Sequence, residues 1–261
     1  MKRFVLNGDF MDRIVYKTKN VVVQKIQEGE KRKRCYIIGN GYSLNVDDNN
    51  VVCKHDPGMY KFEPEISKNN AIYAVYFTFE CSGLGEASKE IAEFVNNLSK
   101  EYEQIFLVGH SKSGLCLYNT SHYCEKGITL VTISTPFCGT FIADKETVEK
   151  KLKSRILKTV YNMIFSDHNV DRDIIPNSKF IQNMQETTYK EHINITSSLK
   201  NVLSCKDFMD LLLFICDKIF RINGDGLVPL NSQKVNSTRT INIICSHANS
   251  LRKGIQVIEK L

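Results

Sequence analysis

The stretch that most constrains the fold runs from Ile105 to Gly114 and reads Ile-Phe-Leu-Val-Gly-His-Ser-Lys-Ser-Gly. Its four leading apolar residues indicate a buried strand, and a helical pattern begins at Leu115. Gly109 suits a sharp turn, because close backbone approach leaves no room for a Cβ atom. A serine at such a strand-to-helix turn exposes its Oγ at the carboxyl end of a sheet. Ser111 is therefore a candidate nucleophile.

Apolar runs and helical patterns alternate on both sides of this turn. Strands are predicted at 35–38, 71–79, 128–133, 192–197 and 240–245, and Ile91, Phe94, Val95 and Leu98 form one face of a helix. This alternation predicts a parallel sheet with helices on both faces. Right-handed crossovers then bring the carboxyl ends of the strands to one edge, where ligands bind.

Other segments are less regular. Residues 46–70 are polar and lack a 3.6-residue period, which predicts a loop with short helical pieces. The apolar positions of the helix after Lys206 predict core packing or one wall of a pocket: Phe208, Leu211, Leu212, Ile215 and Ile219.

Two later positions supply partners for a serine nucleophile. Asp225 stands between two glycines ahead of an apolar stretch, and His247 directly follows the last predicted strand. A histidine can take the serine proton, and a carboxylate can hold that histidine in the required tautomer. An aspartate in a glycine turn or a lone histidine is more often structural. The chain order Ser, Asp, His favours the three as one catalytic set.

Five separated segments across residues 35–261 resemble the lipase-like α/β-hydrolases. The turn at Ser111 resembles their nucleophile elbow, Gly-x-Ser-x-Gly, although Ser113 stands where the family usually has glycine. Residues 134–140 resemble the Thr-Pro-x-x-Gly-Ser/Thr segment after the next strand, and 173–181 resemble the stretch that closes the cap region, with Ser178 as a helix cap. Residues 225–229 resemble the Asp-Gly-x-Val-Pro that carries the acid.

The resemblance implies an α/β-hydrolase fold: a mostly parallel sheet with helices on both faces, in a single domain over 1–261 with a helical cap at about 141–185. It implies a triad of Ser111, Asp225 and His247. The oxyanion hole would be formed by backbone N–H groups of Lys112 and of Tyr42 or Gly41. In that glycine-rich turn, 39–43, the family writes His-Gly-x and this chain has Asn-Gly-Tyr. An ordinary glycine turn is the alternative for this segment.

The predicted cap contains a helix over 144–165, with apolar residues at every fourth position from Val148 to Ile164 and lysines or arginines between them. Three interpretations stay open for it: packing on the body, a mobile lid over an acyl pocket, or a basic amphipathic face touching an anionic membrane.

Composition narrows the class of protein. The net charge of +6 is scattered, and no aromatic side chains interleave with it as single-stranded nucleic-acid platforms require, so no nucleic-acid partner is expected. The nine cysteines are spread out and several lie in apolar runs, which indicates small buried hydrophobes rather than disulfides or a metal site. With no signal peptide and no apolar run long enough for a bilayer, a cytoplasmic protein is expected.

The sequence thus predicts a serine ester hydrolase of the lipase or carboxylesterase type, acting on a small-molecule or lipid ester through an acyl-serine, without metal or cofactor. Two alternatives remain: a non-catalytic binding or scaffold protein of the same fold, and an acyltransferase or thioesterase using the same triad. Membrane contact through the basic cap helix is a further expectation.

Overall fold

The computed structural model of the chain is built on one large twisted sheet. It describes residues 4–6, 13–29, 34–46, 51–53, 66–125, 127–151, 169–184 and 191–261. The strands are β1 (Phe4–Leu6), β2 (Ile14–Lys17), β3 (Val21–Gln27), β4 (Arg34–Val46), β5 (Val51–Cys53), β6 (Ala71–Thr78), β7 (Gln104–His110), β8 (Thr129–Ile133), β9 (Glu191–Ser198) and β10 (Arg239–Ile244).

The sheet order is β10-β9-β8-β7-β4-β6-β3-β2, with β5 pairing to β4 and β1 pairing to β5. The pairings from β10 through to β6 are parallel, whereas β3 joins β6 and β2 joins β3 in antiparallel fashion. The prediction of a mostly parallel sheet is confirmed, and β7, which ends at the candidate nucleophile, lies in its middle.

Helices connect these strands. They are α1 (Leu84–Leu98), α2 (Lys112–Ser121), α3 (Lys145–Lys151), α4 (Asn169–Arg172), α5 (Lys179–Gln182), α6 (Phe208–Phe220) and α7 (His247–Ile258), with short 3₁₀ turns at Phe141–Ala143 and Val202–Ser204. Within the described residues, none of these helices has the length and apolar character needed to cross a bilayer.

Helices cover the sheet on both faces, as predicted. Alternate residues of β7 point to opposite sides: Leu107 packs in a cluster with residues of α1 and α2, and Val108 packs in another with Leu251 and Ile255 of α7. Burying one such aliphatic side chain contributes about 1.5–3 kcal/mol. Residues 105–108 of the central strand are apolar and buried on both faces, which holds its carboxyl end at a fixed position.

Two predictions about the segment after Ile38 are wrong. Residues 39–43 do not end the strand, because β4 continues to Val46 after a register shift between Gly39 and Ser43, with Gly41 at a φ of 85°. Residues 51–53 form β5 rather than loop or helix, because their backbone groups pair with β4 and β1. Residues 54–65 lie outside the described part.

The prediction that the apolar face of α6 packs in the core is also wrong. Phe208, Leu211, Ile215 and Ile219 are exposed, and Leu212 is half-buried. The buried residues of this helix are Asp210, Leu213 and Asp217. Both carboxylates accept hydrogen bonds, Asp210 from the Lys206 N–H and from Asn249 of α7, and Asp217 from the Gly224 N–H. Those bonds turn the polar side of the helix inward.

The predicted cap region is described in two parts. The α3 helix lies within the predicted 144–165 helix, with Val148 buried against the inner side of α6; residues 152–168 lie outside the described part. Ser178 accepts a hydrogen bond from the Ile181 N–H, so the prediction that it caps a helix is confirmed.

Candidate active site

Ser111 lies at the turn between β7 and α2 in a backbone conformation that few residues adopt. Its φ is 56° and its ψ is −131°. Holding a non-glycine residue there costs on the order of 1–3 kcal/mol and persists only where neighbours enforce it. The Ser111 N–H donates to the Ile133 carbonyl over 3.0 Å, and the Ser111 carbonyl accepts from the Gly114 N–H over 2.9 Å. The turn thus holds Ser111 at the carboxyl edge of the sheet.

Two glycines make this turn sterically feasible. A Cβ atom at Gly109 would lie 2.5 Å from the Gly114 Cα, and one at Gly114 would lie 1.8 Å from Thr135 Oγ1. Neither position could hold a larger residue without displacing backbone or packed side chains. The Thr-Pro segment after β8 therefore packs directly against the elbow.

Asp225 is fully buried in the glycine turn that follows α6. Its Oδ1 accepts from the Leu227 N–H over 3.1 Å and from the Val228 N–H over 2.9 Å, and its Oδ2 accepts from Ser197 Oγ over 2.8 Å. Burial acts to raise the pKa of this carboxyl. Nearby His247 and the donated hydrogen bonds outweigh burial and hold the pKa below its ordinary value. Asp225 is thus an ionised acceptor.

His247 is the first residue of α7, and it is 6% exposed. Its Nδ1 lies 2.8 Å from Asp225 Oδ2, and its backbone N–H donates to the Asp225 carbonyl over 2.9 Å. An ionised carboxylate only accepts, so Nδ1 carries a proton, and in the neutral form of this imidazole Nε2 carries the lone pair. Asp225 and His247 thus have the arrangement of a carboxylate that orients a histidine base through a hydrogen bond.

His110 links the residue before Ser111 to the helix that carries His247. Its Nε2 lies 3.1 Å from the His247 carbonyl oxygen and 2.9 Å from Ser250 Oγ, and the two imidazole centroids are 4.6 Å apart. Burial, followed by the nearby His247, lowers the pKa of His110 to about 3. A neutral imidazole at this position can donate its Nε2 proton to these oxygens.

Among the described side chains, no hydrogen bond joins Ser111 Oγ to His247. Catalytic hydrogen bonds in ligand-free enzymes are often long and tighten only when substrate binds. The structure therefore brings Asp225 and His247 into direct contact. It links Ser111 to His247 through the preceding residue, His110, whose ring is bonded to the His247 carbonyl.

The bulge of β4 lies beside the elbow. A Cβ atom at Gly41 would lie 3.9 Å from Ser111 Cβ and 3.7 Å from Lys112 Cγ. The Gly41 N–H donates to Ser113 Oγ over 2.8 Å. Ser113, the departure from the family motif, thus accepts one of the two N–H groups predicted for this segment. The backbone of Tyr42 follows in β4, and its side chain lies outside the described part.

The side chain of Lys112 contacts the carboxyl-terminal part of the predicted cap. Its Nζ lies 2.7 Å from Asp171 Oδ1, and both side chains are largely buried, at 12% and 8% exposure. Two residues later, Asp173 Oδ2 accepts from the Leu84 N–H over 2.6 Å. Two carboxylates therefore dock residues 169–178 onto the elbow and onto the start of α1.

Sequence reasoning missed the residues that hold the acid. Ser197 donates to Asp225 Oδ2, and Gln233 Nε2 donates to the Ser197 and Val228 carbonyl oxygens over 3.0 Å each. Ser197 is the last residue of a predicted strand, and strand ends were expected to lie at the edge that holds the site, so its position could have identified it as a candidate. Gln233 lies in an irregular segment, and no local pattern marks it.

In the described part of the chain, the cysteines and the other ligand-type residues form neither a disulfide nor a metal site. No disulfide joins the cysteines whose side chains are described, and no group of three His, Cys, Asp or Glu residues in the described ranges has a metal-binding arrangement. Burial raises the pKa of Cys35 and Cys116 to about 12, so both are neutral thiols. The prediction of small buried hydrophobes is confirmed for these two, whereas Cys138 is exposed.

Comparison with known proteins gives likeness of structure without likeness of sequence. No family model matches the chain, and no curated protein matches it by sequence. The mature lipase BlEst2 of Bacillus licheniformis superposes with a TM-score of 0.58 at 13% identity, covering 93% of this chain and 96% of the lipase. A metagenomic carboxyl esterase gives 0.52 at 11% identity over 89% and 75% of the two chains, and a meta-cleavage product hydrolase gives 0.50 at 12% identity over 95% and 97%.

Proposed function

We propose that this chain, whose fold is that of the α/β-hydrolases, is a serine hydrolase that cleaves carboxylic esters. One observation carries the proposal. An ionised, fully buried Asp225 holds His247 by Nδ1, at the sheet edge where Ser111 occupies a strained turn. The coarser statement, hydrolase chemistry, is supported by the kind of proteins that share the fold: a lipase, an esterase and a carbon–carbon hydrolase. Ester specificity and the individual residues are our inference.

In the proposed mechanism, His247 Nε2 takes the proton of Ser111 Oγ as that oxygen attacks the ester carbonyl. Asp225 stabilises the imidazolium that forms and keeps the ring in one tautomer. The imidazolium then returns the proton to the leaving alcohol, which leaves an acyl-serine. Water, activated by the same base, releases the acid and restores Ser111.

The oxyanion would be bound by backbone N–H groups. Lys112 supplies one at the start of α2, directly after Ser111, where the helix dipole also favours negative charge. Of the two groups predicted on β4, the Gly41 N–H already donates to Ser113, which favours Tyr42 as the second donor. Losing one such donor typically raises the barrier by about 2.7–4 kcal/mol.

We treat 141–185 as a cap on a single hydrolase domain. The ion pair of Lys112 with Asp171 and the hydrogen bond from Leu84 to Asp173 support a docked position for its carboxyl-terminal part. The predicted membrane contact of the basic helix at 144–165 falls mostly outside the described residues, and it stays a prediction. A lipid ester as substrate is therefore one member of the proposed ester class.

A scaffold protein of the same fold is the competing function. The strained backbone at Ser111 argues against a scaffold, because a strained conformation is typically kept at positions where it serves a function. An acyltransferase or thioesterase would share the acyl-serine and differ only in the acyl donor or the acceptor that attacks it.

Labelling with a fluorophosphonate probe tests the proposal. The wild-type chain should be labelled once, and Ser111→Ala should abolish labelling. Ser237→Ala is a matched control, because Ser237 lies just before β10, at the edge of the sheet opposite to Ser111, and its loss should leave labelling intact. A wild-type chain that resists the probe while hydrolysing no p-nitrophenyl ester of any length would favour the scaffold.

A further inference from the structure

The exposed face of α6 is apolar. Six of the ten large apolar side chains that are exposed in the described residues lie in one short stretch, from the 3₁₀ turn at 202–204 to the end of α6. Phe208 is 72% exposed and Leu203 is 88% exposed. The six side chains belong to Val202, Leu203, Phe208, Leu211, Ile215 and Ile219, which we call the α6 patch.

The patch is a continuous stripe rather than scattered exposure. At 100° per residue, the four positions on α6 fall within about 80° of the helix circumference. The opposite side carries Asp210 and Asp217, both buried. Asp210 accepts from the Lys206 N–H and from Asn249, and Asp217 accepts from the Gly224 N–H. Single exposed apolar residues are ordinary, but a stripe of this kind marks an interaction surface.

The inner side of α6 contacts the loop that carries the candidate acid. A Cβ atom at Gly226 would lie 2.6 Å from Leu213 Cβ, and Asp210 binds Ser246, the residue before His247. The α6 patch therefore lies on the outer side of the helix that covers Asp225 and His247. A surface that binds the patch would lie beside the sheet edge that holds the candidate site.

The exposed charges in the segment that carries the patch are mostly positive. Residues 200–221 contain four exposed cations, Lys200, Lys206, Lys218 and Arg221, and one exposed anion, Asp207. Lys218 pairs with buried Asp217 and lies 5.0 Å from the Phe214 ring centroid, and its side chain is 54% exposed. Apolar side chains bordered by lysine and arginine complement the headgroups and acyl boundary of an anionic lipid surface.

We propose that the α6 patch docks this protein on an anionic lipid bilayer. The apolar stripe enters the boundary between headgroups and acyl chains, and Lys200, Lys206 and Arg221 contact the phosphates. The helix does not span the bilayer, because α6 has only 13 residues. This docking does not depend on the proposed catalysis, and the catalytically disabled Ser111→Ala chain should dock equally well.

Vesicle binding by the full Ser111→Ala chain tests the apolar part. Sedimentation with vesicles of phosphatidylcholine and phosphatidylglycerol should pull down this chain. Adding Leu211→Asp and Ile219→Asp should lower the partition coefficient at least about tenfold, because each carboxylate must leave water. Tyr123→Asp is the matched control, since Tyr123 is 45% exposed at the far end of α2 and its replacement should leave binding unchanged.

The charge part is tested with Lys200→Gln and Lys206→Gln together. Binding to the anionic vesicles should fall about fivefold for each lysine near the surface. Binding to vesicles of pure phosphatidylcholine should be the same with and without the two substitutions. Lys68→Gln with Lys100→Gln is the control, because both lysines are exposed on loops at the opposite edge of the sheet.

Two results would overturn the docking. One is that the Ser111→Ala chain and its Leu211→Asp/Ile219→Asp derivative bind vesicles equally well, or that neither binds, while circular dichroism shows that both are folded. The other is a dimer in sedimentation velocity without lipid that Leu211→Asp/Ile219→Asp converts to monomer, since a second copy would then cover the patch. Vesicle binding with no ester hydrolysis would reject the proposed function and leave the docking standing.

Discussion

The hydroxyl of Ser113 accepts a hydrogen bond from the backbone N–H of Gly41 over 2.8 Å. Ser113 is buried two residues after the candidate nucleophile, and Gly41 forms the bulge of β4. A Cβ atom at Gly39, one residue before the bulge begins, would lie 2.7 Å from Ser113 Cβ. The residue that departs from the elbow motif therefore joins the elbow to the strand that would supply the second oxyanion donor.

Ser113→Ala should reduce turnover more than substrate binding. It leaves the Gly41 N–H without its acceptor, at a cost of about 1–3 kcal/mol in unfolding free energy, and it loosens the β4 bulge. We expect kcat to fall roughly tenfold with little change in KM, because an oxyanion donor acts mainly in the transition state. Ser121→Ala is the control, since Ser121 bonds within α2 to Tyr118. Equal kcat values for the two variants would contradict this role.

Asp225→Asn should lower kcat by roughly 10³–10⁴-fold, because an amide can donate to Nδ1 and would favour the tautomer whose Nε2 carries the proton. Steady-state hydrolysis of a p-nitrophenyl ester measures it. Gln233→Glu would not serve as a control, because Gln233 also touches Asp225. Asp207→Asn at the amino end of α6 is suitable and should retain full activity, because asparagine caps a helix as well as aspartate does. A loss below tenfold in Asp225→Asn would remove Asp225 from the mechanism.

The pair of Lys112 and Asp171 should show strong energetic coupling. Removing one partner of a largely buried ion pair typically costs about 3–5 kcal/mol, whereas replacing both with apolar residues costs far less. Urea unfolding of Lys112→Met, Asp171→Leu and the double variant would measure the coupling. The exposed pair of Lys89 and Glu86 is the control, and Lys89→Met should change stability little. Additive effects at Lys112 and Asp171 would show that the cap segment is held by other contacts.

Acid should destabilise the chain through His192, a buried residue of β9 whose Nε2 lies 2.9 Å from Thr132 Oγ1 of β8. Burial lowers the pKa of His192 to about 4, below its ordinary value near 6.5. Its contribution to stability is therefore fully present above pH 6.5 and is lost as the pH falls toward 4, at about 1.4 kcal/mol per pH unit. Lowering the pH from 6.5 to 5 should reduce the unfolding free energy of both the wild-type chain and His192→Gln. The reduction should be smaller in His192→Gln, by roughly 2 kcal/mol. Identical pH slopes would contradict this assignment.

The sequence pattern predicted the parallel centre of the sheet because β7 and its neighbours are buried on both faces and read as apolar runs. It also identified Ser111, Asp225 and His247 as candidates, since Ser111 and His247 each follow a strand and Asp225 lies in a glycine turn between them in the chain. Asp225 and His247 are in contact, and catalysis by the three remains a proposal.

What failed depended on contacts distant in sequence. The face of α6 reads as core because its apolar residues share one stripe, yet Asp210 binds Asn249 of α7 and Asp217 binds the Gly224 N–H, and no local pattern reveals these contacts. β5 was missed because its pairing partners, β1 and β4, decide its conformation. The ion pair of Lys112 was missed because its partner Asp171 lies far along the chain.

The acyl-enzyme itself tests the central claim most directly. The chain is mixed with a p-nitrophenyl ester, quenched in acid within the burst, digested and analysed by mass spectrometry. The proposed mechanism predicts one added acyl group on the peptide that contains Ser111, and its loss in Ser111→Ala. Hydrolysis that leaves no acyl group on Ser111 under conditions where deacylation is slow, or an acyl group on another residue, would contradict it.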